Sequence, residues 1–281
     1  MPIQRSKFAS INSTQRAWWF YGMTFGLALL IAIAAPSLGR TSLMLTMLTP
    51  FIGVVIMLSV VNREGSLRQA LGGLGLTSVG WRGWPPAIII PTILLLGGTL
   101  LMAGFGLTAL RAPNAYLSVA DAVLNLIATL IFGTVLAMGE EIGWRGYMLP
   151  RLSKTGQIRA MLIVGFLHGV WHLPLLLLTD LYHTEGSRLF VVPMFLVTLT
   201  LAGVFYGWLR IWSGSLWPVA LAHGAVNTSW EFSDSITLTR TPLVLEYIGG
   251  ESGVLMILGL LILGVILGLF LRRPARKASA K

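Results

Sequence analysis

Cysteine is absent from the 281 residues. That excludes disulfides, thiolate nucleophiles and cysteine-held zinc. Charge is scarce too: 11% of residues are charged, where a soluble domain carries roughly 25%. Acidic residues are the rarest part of it, with 10 Asp and Glu against 20 Lys and Arg. Histidine occurs 4 times. What fills the chain instead is apolar: 55% of residues are hydrophobic, and mean hydropathy is +0.80. This composition describes a polytopic integral membrane protein, with the lipid bilayer as its first partner. The net charge of +10 is then a matter of cytoplasmic loops and anionic headgroups, with no nucleic acid implied.

A spanning helix needs about 20 mostly apolar residues. Eight runs qualify as candidates: Ala17–Ala35, Leu43–Val61, Pro86–Leu107, Asp121–Met138, Ala160–Leu178, Leu189–Leu209, Leu216–Trp230 and Gly253–Leu271. The seventh is the shortest. The first has the flanks of a signal peptide, with Arg5, Lys7 and Arg16 before it and Ala32-Ile33-Ala34 within it. It also opens with Trp18-Trp19-Phe20-Tyr21, an aromatic interface belt, so a retained helix is expected. With both termini cytoplasmic, the outer loops hold only Arg40, Arg111, Arg188 and Arg240 of the basic residues. That distribution follows the positive-inside rule. The expected fold is therefore all-α: a transmembrane helical bundle of about eight spans forming one domain, 1–281, with a basic cytoplasmic tail at 272–281. A multi-pass protein of the bacterial cytoplasmic membrane is the expected setting.

Three segments carry polar groups that such helices otherwise avoid. Glu140 and Glu141 lie side by side where the fourth run ends, followed by Arg145, and the helix can continue from there toward Leu149. A carboxylate near hydrocarbon costs at least about 2.5 kcal/mol. Glu141 and Arg145 are four apart and neighbours on a helix, with Glu N-terminal, the better order. That pairing leaves Glu140, about 100° away around the helix, to face something else. A Glu–Arg pair can also simply mark a helix end.

His168 and His172 share a face of the fifth run, a common metal-ligand spacing. A lone His there would more often be a satisfied core residue. His223 and Asn227 repeat the i, i+4 spacing in the seventh run. Asn227 could ligate a metal or bond to an oxyanion; an interhelical hydrogen bond is the plainer reading. The fourth histidine, His183, sits in an acidic outer loop and reads as incidental.

Glu-Glu-x-x-x-Arg, then Trp-His-Leu-Pro closing a His helix, then His-x-x-x-Asn, resembles in this order the CPBP family of CAAX proteases and bacteriocin-processing proteins. The resemblance covers a core from about 120 to 230. One position departs from the usual Phe-x-x-x-His motif: His168 stands where Phe is common. The resemblance implies an intramembrane endopeptidase acting on a membrane-associated protein or peptide. It implies Glu140 as the general base that activates water, with Glu141 and Arg145 orienting it or the substrate. His172, His223 and Asn227 would bind the water or a metal, or form an oxyanion hole. Two chemistries stay open. Zn²⁺ on His172, His223 and a carboxylate such as Glu140, with His168 as a further candidate ligand, would lower the pKa of bound water. Without metal, buried Glu140 could serve as the base itself. Two other classes compete: a non-catalytic relative such as an immunity or regulatory protein, and a transporter or proton relay, which also uses intramembrane Glu and His.

Overall fold

The structure, a computed structural model, describes residues 12–61, 66–112, 118–239 and 242–271. Arg5, Lys7, Arg63, Arg240 and the basic tail 272–281 lie outside the described residues. Each apolar run becomes a helix. α1 is Ser13–Leu38, α2 Thr41–Ile56, α3 Leu67–Leu74 and α4 Trp84–Gly104. α5 is Val119–Glu141, α6 Leu149–Leu152 and α7 Gln157–Leu178. α8 is Arg188–Ser213, α9 Trp217–Ile236 and α10 Val254–Leu271.

Local chemistry sets several boundaries. Asn12 and Gln15 form a reciprocal capping box that starts α1. The Ser118 side chain accepts from the Asp121 backbone N–H and starts α5. α8 stops at Gly214, whose φ of +68° favours glycine. Pro218 enters α9 at its first turn, where a missing N–H costs nothing.

Among the described residues, seven helical segments are long and apolar enough to cross a membrane. The expected eighth, Leu216–Trp230, is the core of α9, but it is not in that set. His223, Asn227, Glu231 and Asp234 lower its hydropathy, and the helix runs on past Trp230 to Ile236. The fourth run continues past the glutamates toward Leu149, as the sequence allowed. α5 ends at Glu141 and leads directly into a π-helical turn, Ile142–Met148, and then α6. Among the described residues, the expectation of a purely helical chain has one small exception. Thr108–Leu110 and Thr237–Thr239 pair antiparallel, Thr108 opposite Thr239, tying the end of α4 to the end of α9.

The bundle is assembled from close pairs. α7 packs on α8, α9 on both α4 and α5, and α1 on α2 and α7. Two crossings depend on glycine. A Cβ on Gly165 would lie 2.5 Å from the Leu199 carbonyl oxygen, and one on Gly203 2.6 Å from that of Met161. A Cβ on Gly224 would lie 2.6 Å from the Thr134 backbone nitrogen. Small residues let the backbones touch where no hydrophobic force drives helices together in lipid. The effect is to hold α7 and α9 hard against their neighbours, and both carry histidines. At the centre, Phe20 of α1 meets the Trp144 and Tyr147 rings at 5.8 and 5.2 Å. Ile131, Phe132 and Val135 of α5 face outward with Ile262 and Val265 of α10, an apolar surface for lipid. The seven apolar helices make this a multi-pass integral membrane protein.

Candidate active site

Glu140 and Glu141 are the last residues of α5, at its junction with the π-helical turn. A π turn widens the helix and is frequent at functional sites. Both glutamates are buried, and Arg145 within the turn is 1% exposed. Such charges are stable only when paired. Arg145 Nη1 donates to Glu141 Oε1 at 3.0 Å and to Oε2 at 3.2 Å. The Tyr206 ring of α8 faces the guanidinium at 4.8 Å. His223 of α9 completes this half: its Nδ1 lies 3.0 Å from Glu141 Oε1. Glu141 therefore has two cross-linked partners, on its own helix and on α9.

Glu140 is not left free. Its Oε2 lies 2.8 Å from His168 Nε2 on α7. Arg145 Nη1 reaches the other ring nitrogen, Nδ1, at 3.2 Å. A guanidinium has only donors. His168 Nδ1 must then accept, so Nε2 carries the proton and donates to Glu140. Next on the same face, His172 Nδ1 donates to the His168 carbonyl at 3.0 Å. This fixes His172 in the opposite tautomer, with Nε2 as an unprotonated acceptor.

The two halves meet beside one cavity of about 70 Å³, room for a few water molecules by the usual volume per water. His168, His172, His223 and Asn227 line it, with Tyr182 and Glu251 from outside the expected motifs. Glu140 is not among the lining residues, but its carboxylate meets His168 on that wall and lies within 4.8 Å of a His172 ring nitrogen. Glu140, His168 and His172 each offer a ligand atom within 4.8 Å of the others, a spacing that could hold a metal ion. His223 is not in that group, although it was expected among the ligands. The donor chemistry is less favourable to His168 as a ligand: both its nitrogens are engaged, one by Arg145 and one by Glu140.

All seven residues singled out in the sequence thus fall in one region. His168 has a larger place than its sequence position suggested, since it bridges Glu140 and Arg145. Three neighbours lie outside the motifs, Tyr206, Tyr182 and Glu251, and His183, read as incidental, lies beside them. Glu251 carried a signal, being an acid next to a spanning run. His183 carried none locally, yet its Nδ1 is 2.6 Å from Glu246 Oε1 and its Nε2 3.3 Å from Glu251 Oε1. Burial disfavours charge on its ring, but the two carboxylates outweigh burial and push its pKa up to about 9.

Residues 121–229 match the family model for type II CAAX prenyl endopeptidases, Rce1-like. The chain is also 23% identical over 165 residues to CAAX prenyl protease 2 of Methanococcus maripaludis, across 57% of this chain and 58% of that protein. The chain spans little more than half the length of this relative. Every motif residue of the site, from Glu140 to Asn227, lies inside the matched segment. Together the matches support the CPBP family for this chain.

Proposed function

We propose that the protein is an intramembrane endopeptidase that cleaves a membrane-associated protein or peptide, with Glu140 as the base. The observation that carries this is the Glu140–His168–His172 cluster, with Glu140 and His168 buried and His172 half-buried, at the edge of a cavity also lined by His223 and Asn227. A water between Glu140 and the unprotonated Nε2 of His172 would be polarised from two sides. Glu140 takes the water's proton as the oxygen attacks the scissile carbonyl carbon. The carbonyl oxygen becomes the oxyanion, and the Asn227 amide N–H stabilises it, joined by His223 Nε2 when that ring carries both protons. As the C–N bond breaks, protonated Glu140 returns the proton to the leaving amine. His168 holds Glu140 in place through its Nε2–H, and Arg145 fixes that tautomer from behind. Glu141 ties α9 to α5, so that His223 faces the same cavity.

A second reading is favoured by the ligand spacing of Glu140, His168 and His172. There a Zn²⁺ would supply a bound water of lowered pKa. Arg145 would have to release His168 Nδ1 for that imidazole to serve as a neutral ligand.

The relative's printed name makes a prenylated CAAX peptide the first substrate to assay. Both termini cytosolic, in a bacterial inner membrane, and one domain with its catalytic core at about 120–230 remain parts of this proposal. The test compares wild type with Glu140→Gln and His172→Ala in detergent or liposomes. Loss of a general base lowers kcat by roughly 10²–10⁴-fold. Cleavage at the wild-type rate by folded Glu140→Gln would end the proposal.

A further inference from the structure

His172 is aimed by packing rather than by hydrogen bonding alone. Among the described residues its ring bonds through Nδ1 to the His168 carbonyl. That contact sets the tautomer, while the ring's tilt is left to its neighbours. One of them comes from outside the bundle. Tyr182, in the loop between α7 and α8, lays its ring beside the imidazole at 5.9 Å with an interplanar angle of 27°. Phe195 of α8 closes the edge at 5.2 Å.

A loop aromatic can orient a neighbouring ring only if the loop itself is held. Here it is held at several points. The Tyr182 hydroxyl donates to Glu251 Oε1 at 2.9 Å. His183 reaches the same oxygen through Nε2 and Glu246 through Nδ1. The Ser187 backbone N–H donates to the Tyr247 hydroxyl at 2.6 Å. His183 adopts φ of +50°, unusual for a residue other than glycine. Glu246 bonds the ring at Nδ1, and Glu251 Oε1 lies 3.3 Å from Nε2.

We propose that Tyr182, fastened through Glu251 to the segment leading into α10, is a positioning residue for His172, setting the plane of its imidazole within the Glu140–His168–His172 cluster. Tyr182 and Glu251 also line the cavity with His172, so the fastening ends on the wall it organises. The catalytic half of this inference rests on the endopeptidase reading; the geometric half does not.

Two measurements separate them. The first is diethyl pyrocarbonate labelling of purified full-length protein, with rates for each histidine read by mass spectrometry. Tyr182→Leu and Glu251→Gln are expected to raise the rate at His172 several-fold and leave His168 and His223 as in wild type. Tyr182→Phe keeps the ring and should fall between. An unchanged His172 rate in folded Tyr182→Leu overturns the proposal. The second is a kcat against KM split on a peptide that wild type cleaves and Glu140→Gln does not. Misplacing a catalytic group by about 1 Å can cost roughly 100-fold. Tyr182→Leu is therefore expected to lower kcat by about tenfold or more with KM unchanged, and Tyr182→Phe to recover most of it. Faster labelling with an unaltered kcat would also overturn the proposal. If wild type shows no cleavage sensitive to Glu140→Gln, the endopeptidase reading fails, while labelling still decides whether Tyr182 positions His172.

Discussion

Glu141 shares one oxygen between two helices: His223 Nδ1 and Arg145 Nη1 each lie 3.0 Å from its Oε1. Removing the carboxylate strands a buried guanidinium and breaks the polar tie from α9 to α5. Losing one partner of a buried pair costs about 3–5 kcal/mol. Glu141→Ala is therefore expected to lower the thermal midpoint in detergent sharply. Glu141→Gln, which can still accept from Arg145, should lose less. Equal melting of Glu141→Ala and wild type would show that the pair does not hold the bundle.

His168 supplies the polar contact that holds Glu140. His168→Phe preserves an aromatic ring but removes both the bond to Glu140 and the acceptor for Arg145. A kcat loss of roughly tenfold or more is expected, with melting changed less than in Glu141→Ala. Full activity in His168→Phe would mean that Glu140 is oriented without it.

Both nitrogens of His168 are engaged, so the metal-free reading predicts little from chelation. Activity should survive exhaustive treatment with EDTA or phenanthroline, and elemental analysis should find less than one zinc per chain. Stoichiometric zinc that is lost together in Glu140→Gln and His172→Ala would favour the metal reading instead.

The outer loop should respond to alkali. The His183 pKa, about 9 in the folded protein, exceeds the ordinary histidine value near 6.5. A raised value means the stabilisation is fully present below the unfolded pKa and lost as pH rises through the folded one. The window is thus from about pH 6.5 to above 9. The facing groups are Glu246 and Glu251 from the last segment and Tyr182 beside it. Burial first, and then Glu251, hold the Tyr182 hydroxyl well above its usual range, so it does not titrate in this window. Wild type should lose melting temperature between pH 7 and pH 10 relative to His183→Gln. Parallel curves would refute a charged His183.

Helix packing gives a last prediction. Gly165→Ala puts a methyl group against the Leu199 carbonyl oxygen, with backbone on both sides of the contact. Overpacking costs about 1–3 kcal/mol and sometimes more. A lower melting point is expected, along with reduced labelling contrast between His172 and its neighbours as α7 shifts from α8.

Hydropathy made most of the helices legible, because a bilayer demands about 20 apolar residues in a row. It failed at α9, where Glu231, Ser233 and Asp234 belong to a continuing helix that no apolar count would extend. The π turn was equally hidden. An i→i+5 bond leaves no compositional trace, so a helix continuing toward Leu149 was legible while its widening through Trp144 and Tyr147 was not. At the site, i, i+4 spacing revealed who shares a helix face with whom. It could not reveal who faces whom across helices. That is why His168 looked secondary, and why His183, 63 residues from Glu246 in sequence, looked incidental.

The cavity beside these histidines, about 70 Å³, is sized for water rather than for a length of peptide. On the endopeptidase proposal, a substrate would enter only after helices or the outer loop part. Choice of substrate would then be partly a matter of mechanical force and timing. Opening rather than bond cleavage would set the pace.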